Sequence, residues 1–343
     1  MFSMIKNKDI AEQLNISTTA VSLAINNKPG VSRELREKIL ALRNDSIQRT
    51  LDNSVREKTG EKERIMFCVF KKTGDIITDI PFFMNLTETL SIEASRLGYE
   101  LLIAHFTPSM ELEEYLENIK SANISGLLIL GTEATREDIE EFKKLNIPMV
   151  LIDNWFPGIS VDSVYMDNLC GMASAVRYFF KHGHTDIGYV DCKYAINNFK
   201  ERLLGYSAGL KECGLPFDEA KVYVVGPSSD QAYRDFKEIL DRGVKLPTAL
   251  LVCNDQVAIG VMRALKEKGC GIPDDISLIG FDDMSDSHNI DPPLTSIHLH
   301  FGKIASFSAE LLQKKIEGTS LYTANVRHMV SVDLVARKSV RSI

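Results

Sequence analysis

Lys8–Asn26 reads KDIAEQLNISTTAVSLAIN, and this stretch predicts two short helices joined by a tight turn. Apolar residues recur at helical spacing on both sides of a break at Asn15 and Ile16. Ser17 should cap the second helix, because its hydroxyl can accept a backbone N–H from the first turn. The order of helix, turn and helix, with small polar residues opening the second, is typical of a helix-turn-helix unit that reads DNA.

A third helix should complete a small all-α headpiece over residues 1–44. Pro29 and Gly30 break the chain, Ser32 can cap, and apolar residues follow at spacings of three and four. The second helix can then lie in a major groove, with Thr18 and Thr19 at the base edges. The residues that we expect at DNA are Lys8, Ser17, Thr18, Thr19, Ser22, Leu23, Asn26, Lys28 and, from the next segment, Leu51.

Residues 45–64 predict a linker, because they are polar and charged and contain no large aromatic side chain. Ile47, Leu51 and Val55 are spaced by four, so part of the segment can form a helix when something covers that apolar stripe. A helix this short is marginal in water by itself. We therefore expect that this segment forms a helix only when two chains meet on DNA.

From residue 65 to residue 343, apolar runs alternate with amphipathic helical segments. Fully apolar strands separated by helices predict parallel sheets covered on both faces. The length accommodates two doubly wound α/β lobes of similar size. In such sheets ligands bind beyond the carboxyl ends of the strands, which here places a site between the lobes.

Three of the predicted strands end in polar residues. Asp153 follows VLI, the pair Asn254-Asp255 follows LLVC, and the pair Asp282-Asp283 follows LIGF. Each could be an ordinary helix cap or turn residue. Three strand ends with the same chemistry favour a binding site.

Composition narrows the function classes further. The chain has 343 residues and a net charge of −7. Residues 1–58 carry ten Lys and Arg against seven Asp and Glu, about +3, and the remainder carries thirty against forty, about −10. A mildly basic end on an acidic body fits a DNA-binding unit joined to a sensor domain. We see no signal peptide and no apolar run long enough to span a membrane, so we expect a cytoplasmic protein with no membrane partner.

Specific motifs add a resemblance that covers nearly the whole chain. The headpiece has Ser17-x-x-Ala20-Val21-Ser22 followed by Pro29-Gly30-Val31-Ser32. The matching stretches of the body are VDSVYMDN at 161–168, RLLGY at 202–206, NDQVA at 254–258, PDDISLIGFDD at 273–283 and PPLTS at 292–296. On these residues the chain resembles the lactose-repressor (LacI/GalR) family of bacterial transcription regulators, whose effector domain is similar to periplasmic sugar-binding proteins.

The resemblance implies an architecture and partners. The chain should cross between the lobes near Val161, Asp291 and Leu321, giving one lobe of residues 65–160 plus 292–320 and another of 161–291 plus 321–343. Members act as homodimers on near-palindromic double-stranded DNA operators. The expected effector is a small sugar or sugar phosphate, and no cofactor is implied.

The family's effector positions correspond to Asp153, Arg202, Asn254 and Asp282 in this sequence. Their carboxylate, amide and guanidinium groups suit a polyol, and Arg202 can offer its planar fork to a ligand. Aromatic rings commonly cover the apolar face of a sugar. The candidates by position are Phe82, Phe83, Trp155 and Phe301.

The sequence also departs from the family pattern. Leu23 stands where the recognition helix usually carries Arg, and Leu can contact a thymine methyl but cannot pair with guanine. The linker lacks the family's usual Gly-Tyr-x-Pro-Asn and Ala-Arg-x-Leu runs, the second of which forms a hinge helix whose Leu opens the minor groove. Either Leu51 takes that role on a shifted helix, or the DNA is bent less. Leu299 occupies a position that is often polar, with His298 and His300 on either side. Neither the operator nor the effector follows from the resemblance alone.

We therefore expect a ligand-controlled transcriptional repressor of carbohydrate-use genes. Two alternatives remain open at this stage: control by a protein such as a phosphorylated phosphocarrier protein, or a sugar-binding protein without DNA binding. An enzyme is not expected, because no nucleophile elbow or phosphate-binding loop is present. A metal site is not expected either, since His182 and His184 lack further ligands at suitable spacing.

Overall fold

The computed structural model describes residues 7–26, 28–43, 62–76, 80–319 and 324–343. The chain divides into two units, with the boundary between Glu63 and Arg64. Leu51 and most of the predicted linker lie outside the described residues, as does Leu321. Among the described residues, every helix is too short or too polar to cross a membrane.

Within its described residues, the first unit contains three helices: α1 (Asn7–Gln13), α2 (Thr18–Ile25) and α3 (residues 33–43). The turn before α2 includes Asn15 in the left-handed region, at φ 51°. The Ser17 hydroxyl accepts the Ala20 N–H at 3.1 Å, so the predicted cap is confirmed. The buried core of this unit comprises Ile10, Ala11, Val21, Ala24 and Ile39.

Arg36 on α3 has a role that the sequence did not indicate. Its guanidinium donates to the carbonyl oxygens of Ala24 at 3.1 Å and Lys28 at 2.6 Å. Carbonyls at the end of a helix lack partners within the helix, so this side chain closes the C-terminus of α2. Arg36 therefore holds α2 against α3.

The second unit has two lobes, each built on a six-stranded sheet. The first-lobe sheet has the order β11-β5-β4-β3-β1-β2. Its strands are β1 (Glu63–Phe70), β2 (Tyr99–Phe106), β3 (Gly126–Leu130), β4 (Met149–Ile152), β5 (Asp162–Met166) and β11 (Arg327–Val330). The helices of this lobe are α4 (Ile80–Arg96), α5 (Leu112–Ser121), α6 (Arg136–Lys143) and α12 (Phe301–Glu317).

The second-lobe sheet has the order β12-β10-β9-β8-β6-β7. Its strands are β6 (Ile187–Cys192), β7 (Val222–Val225), β8 (Ala249–Val252), β9 (Ser277–Asp282), β10 (Thr295–His298) and β12 (Asp333–Val335). The helices are α7 (Asn168–Lys181), α8 (Asn197–Glu212), α9 (Ser229–Asp241), α10 (Asp255–Glu267) and α11 (Ser285–Asn289). β12 runs antiparallel to β10, whereas the pairs β10–β9, β9–β8, β8–β6 and β6–β7 are parallel.

Both sheets are covered on both faces, as the apolar strands predicted. In β3 every residue is buried, and its side chains alternate between two hydrophobic clusters. Leu128 packs in the cluster that contains Leu90 of α4 and Leu312 of α12, and Ile129 packs in the cluster of α5 and α6. The predicted fold class, a helical headpiece plus two doubly wound lobes, is confirmed.

The lobe boundaries differ from the predicted ones. β5 pairs with β4, with Asp162 opposite Val150, so the first crossing follows Met166 rather than Val161. β10 pairs with β9, which places the second crossing after His298 rather than near Asp291. The third crossing falls between β11 and β12 rather than near Leu321. Periodicity identifies a strand but not the sheet that it joins, because membership depends on pairing with residues far along the chain.

Candidate functional site

A cleft lies between the two lobes, with about 490 Å³ of empty space including its open part. We call it the interlobe cleft and define it by the ten residues that line it: Ile76, Phe82, Thr132, Asp153, Ile196, Asn198, Phe199, Arg202, Asn254 and Asp282. A second hollow lies at the outer edge of the second sheet, beside β7 and α9. We place the site in the interlobe cleft, because buried polar groups from both lobes converge there.

Three polar residues reach the cleft from strand ends, as the sequence predicted. Asp153 follows β4 with φ 66°, and Asp282 closes β9 with φ 101°. Such positive angles are uncommon outside glycine and often mark functional positions. Asn254 follows β8 and caps α10, where its Oδ1 accepts the Val257 N–H at 2.9 Å. The parallel topology therefore brings three strand ends to one cavity.

Arg202 is buried in the floor of the cleft, with only 3% of its surface exposed. Its Nε donates to Asn168 Oδ1 at 2.9 Å, its Nη1 to the Cys253 carbonyl at 2.7 Å, and its Nη2 to Asp282 Oδ1 at 3.1 Å. The guanidinium carbon of Arg202 lies over the Phe281 ring, 3.8 Å from the ring centroid. The protein therefore already occupies most of the donors of the fork that we expected Arg202 to offer to a ligand.

Asp153 bridges the two lobes. Its Oδ1 accepts Asn198 Nδ2 of the second lobe at 2.9 Å, and its Oδ2 accepts the hydroxyl of Thr132 in the first. Burial raises the pKa of Asp153 to about 6, although Thr132, Arg202 and Asn198 act in the opposite direction. Burial likewise raises the pKa of Asp282 to about 6, against the effect of Arg202. Additional hydrogen-bond donors, such as those of a ligand, would therefore stabilise the charged form of both carboxyl groups.

The apolar wall of the cleft differs from the aromatic set that was expected. Phe82 lines the cleft, and Phe301 packs behind it with ring centroids 5.2 Å apart. Phe83 faces the first sheet instead and stacks on Phe67 at 6.3 Å. Adjacent helix residues point about 100° apart, so only one of the two Phe rings of α4 can face the cavity. Ile76, Ile196 and Phe199 complete the wall.

Trp155 does not line the cleft but joins the lobes beside it. Its Nε1 donates to Glu201 Oε1 on α8 at 2.6 Å, and the Arg327 guanidinium lies over its ring at 4.8 Å. Nearby, the Asn197 side chain donates to the Trp155 carbonyl at 3.0 Å. Across the cleft, the Tyr194 hydroxyl donates to Asp75. These contacts join the two lobes beside the cleft.

Sequence reasoning missed Thr132, Asn198 and Phe199. Thr132 comes shortly after β3, so the rule applied to the other strand ends would have found it. Asn198 and Phe199 lie in the first turn of α8, four and three positions before Arg202 respectively, which is the spacing of one helix face. Reading the residues one turn before Arg202 would have identified both.

The histidines that drew attention in the sequence have hydrogen-bond partners elsewhere. His184 is buried and contacts Thr248 Oγ1 at 2.9 Å and the Arg341 carbonyl at 3.1 Å. His298 Nδ1 lies 2.9 Å from Asp283 Oδ2, and His300 Nε2 lies 2.8 Å from Asp333 Oδ2. No group of three or more His, Cys, Asp or Glu side chains is arranged to hold a metal within the described residues.

Asp255 is fully buried next to the cleft residue Asn254, and its ionisation should make stability depend on pH. Burial raises its pKa to about 7, while the Ser296 hydroxyl at 2.6 Å acts in the opposite direction. A raised pKa means that the folded state binds more protons than the unfolded state, so the free energy of unfolding falls as pH rises from about 4 to about 7. Asp255→Asn should reduce this fall by up to roughly 4 kcal/mol. Urea denaturation across that pH range measures it, and an unchanged slope would contradict the assignment.

In the first unit, the residues expected at DNA are on the surface of α2 and around it. Ser17, Thr18, Thr19, Asn26, Lys8 and Lys28 are exposed, and Ser22 and Leu23 are half-buried. The N-terminal end of α2 is thus open, with its cap formed by Ser17. The side chain of Leu23 lies close to Gly30, where an added Cβ would be 3.3 Å from Leu23 Cδ1. Leu23 therefore helps to pack the turn before α3.

Comparisons with known proteins match these observations. The model of one protein family, the periplasmic binding protein-like domain, matches residues 176–340 of this chain. The HTH-type transcriptional repressor PurR of Haemophilus influenzae (strain ATCC 51907 / DSM 11121 / KW20 / Rd) is 29% identical over 344 residues, covering 98% of each chain. The solved complex of the transcriptional regulator CelR with cellobiose aligns over 98% of this chain and 99% of its own, with 22% identity and a TM-score of 0.73. A lac repressor dimer bound to operator and the anti-inducer ONPF aligns over 99% and 100%, with 23% identity and a TM-score of 0.71.

Proposed function

We propose that the chain is a member of the LacI/GalR family of bacterial transcription regulators and a repressor of carbohydrate-use genes controlled by a small sugar-like effector. It would bind a near-palindromic DNA operator as a homodimer. One observation carries the proposal: a single chain combines an exposed helix-turn-helix with a cleft where buried polar groups of two lobes converge. The first feature suits DNA and the second suits a small polar ligand.

DNA recognition would rest on α2. Thr18 and Thr19 are exposed at the start of the helix, where a recognition helix contacts base edges. Lys8 and Lys28 are exposed on either side of it and would contact phosphates. In a homodimer the two headpieces would read half-sites about one helical turn apart.

Effector control would use the interlobe cleft. Asp153, Thr132 and Phe82 belong to the first lobe, and Asn198, Arg202, Asn254 and Asp282 belong to the second, so a ligand contacting both sets stabilises the closed arrangement. A ligand can shift an equilibrium only by its difference in affinity for the two states. The change in operator affinity would therefore equal the coupling between closure and DNA binding, typically 1–3 kcal/mol.

Replacing Thr18 or Thr19 with Ala should change which operator variants bind, not only how tightly. Each threonine can contact a base edge, and losing one base contact relaxes specificity at one position by about 1–3 kcal/mol. Binding to a library of operator variants, compared before and after substitution, measures this.

Lys8→Ala is the matched control for this experiment. A phosphate contact carries no sequence information, so this variant should weaken all operators nearly equally. An equal loss across the library for both Thr variants would mean that α2 only positions the protein on DNA.

A further inference from the structure

The charges of the cleft are unbalanced. Among its ten described lining residues, Arg202 is the single cation, and Asp153 and Asp282 are two carboxylates. Arg202 is already paired with Asp282 at 3.1 Å. Asp153 is left with neutral partners, the hydroxyl of Thr132 and the amide of Asn198.

Arg202 has few free N–H groups with which to bind an anion. Four donor contacts are taken, by Asn168, the Cys253 carbonyl, Asp282 and the Met166 sulfur at 3.6 Å. A guanidinium has five N–H groups, so one remains without an acceptor among the described residues. Phosphate is usually held by several cationic side chains or by an Arg fork, and neither arrangement is available here.

The remaining polar atoms suit a ligand that donates hydrogen bonds. Asp282 Oδ2 accepts no hydrogen bond from the described residues, and each oxygen of Asp153 has a single donor. The Asn254 amide nitrogen has no acceptor among them, while its oxygen caps α10. The cleft therefore presents mainly acceptors, with a few neutral donors between them.

Two helices begin at the cleft, and helix N-termini favour anions. The N-terminus of α10 is not available to an anion, because Asn254 caps the helix and the buried carboxylate of Asp255 follows in the first turn. At α8 the first turn lies beside Asp153, since Asn198 donates to that carboxylate. A phosphate at either helix would therefore approach a buried carboxyl group.

From this geometry we infer that the effector carries no phosphate or other anionic group, and that it binds by donating O–H or N–H hydrogen bonds to Asp153 and Asp282. The inference rests on the proposed effector role of the cleft. It narrows the effector from a sugar or sugar phosphate to an uncharged polyol. The raised pKa of each carboxyl, caused first by burial, agrees with a site where added negative charge is unfavourable.

Calorimetry with matched ligand pairs tests the inference on the full chain. The pairs are D-ribose and D-ribose 5-phosphate, D-glucose and D-glucose 6-phosphate, and cellobiose and cellobiose 6-phosphate. In any pair that binds, the neutral sugar should bind at least about a hundredfold more tightly, because one like-charge contact is worth that factor. A phosphate ester that binds as tightly as its neutral partner would overturn the inference. That result would leave the proposed control by an effector intact. Conversely, a sugar that binds but leaves operator affinity unchanged would contradict the proposed function and not the inference about charge.

A second measurement does not depend on knowing the effector. Thermal unfolding of the full chain is followed in millimolar inorganic phosphate and in chloride at the same ionic strength. We expect equal midpoints, because the cleft offers phosphate no free cation. A rise in midpoint that is specific to phosphate and lost in Arg202→Lys would overturn the inference.

Discussion

Arg202→Ala should lower the free energy of unfolding by roughly 3–5 kcal/mol and remove most of the effector affinity. The substitution leaves the buried carboxylate of Asp282 without its ion pair, and removing one partner of a buried pair costs about this much. It also removes donors from the Cys253 carbonyl and the Asn168 amide oxygen. Urea denaturation measures the first effect, and calorimetry with a bound sugar measures the second.

Arg177→Ala is the matched control for this substitution. Arg177 pairs with Glu212 at 2.6 Å, but both side chains are about half exposed, so its loss should cost at most about 1 kcal/mol. The double variant Arg202→Met with Asp282→Asn should cost less than Arg202→Ala, because it removes both charges. Equal costs for Arg202→Ala and Arg177→Ala would show that Arg202 does not hold the cleft floor.

Operator affinity should fall by about a thousandfold between 50 and 200 mM salt, the range expected for six or more phosphate contacts per dimer. Three basic residues of the first unit, six in a homodimer, support this number. Lys8, Arg33 and Lys38 each pair with a Glu one turn away, but these pairs are exposed and weak, so DNA can compete for them. Arg36 is not included among these phosphate contacts, because its guanidinium donates to backbone carbonyls.

Fluorescence anisotropy with labelled operator at several salt concentrations measures the slope. Effector affinity serves as the internal control, because an uncharged ligand releases no counterions and should bind equally at each salt concentration. An operator affinity that does not change with salt would contradict DNA binding through the headpiece.

Much of the fold could be predicted because its signals are local. The cap at Ser17 and the fully buried strands β3 and β4 follow from residue type and spacing. The polar strand ends Asp153, Asn254 and Asp282 were found because parallel strands end at the same edge of a sheet. Topology alone then brings them to one cleft.

The errors concern features set by distant partners. β5 and β10 were assigned to the wrong lobes because their pairing partners lie elsewhere in the sequence. Trp155 was expected at the ligand, but its indole N–H is held by Glu201 across the lobes. Arg202 was correctly placed in the cleft, yet its partners at Asn168, Cys253 and Asp282 are 34 to 80 positions away. Such contacts leave no pattern in the local sequence.

The central claim is that a ligand in the interlobe cleft controls operator affinity. The most direct measurement is the operator dissociation constant of the full chain, with and without a saturating neutral sugar, in wild type and in Asn254→Ala. Asn254→Ala removes a cleft amide and leaves Asp282 and Arg202 in place. We predict that the sugar changes the wild-type constant by at least about fivefold, and that the same sugar concentration changes it less in the variant. An identical operator constant with and without the bound sugar in wild type would contradict the account.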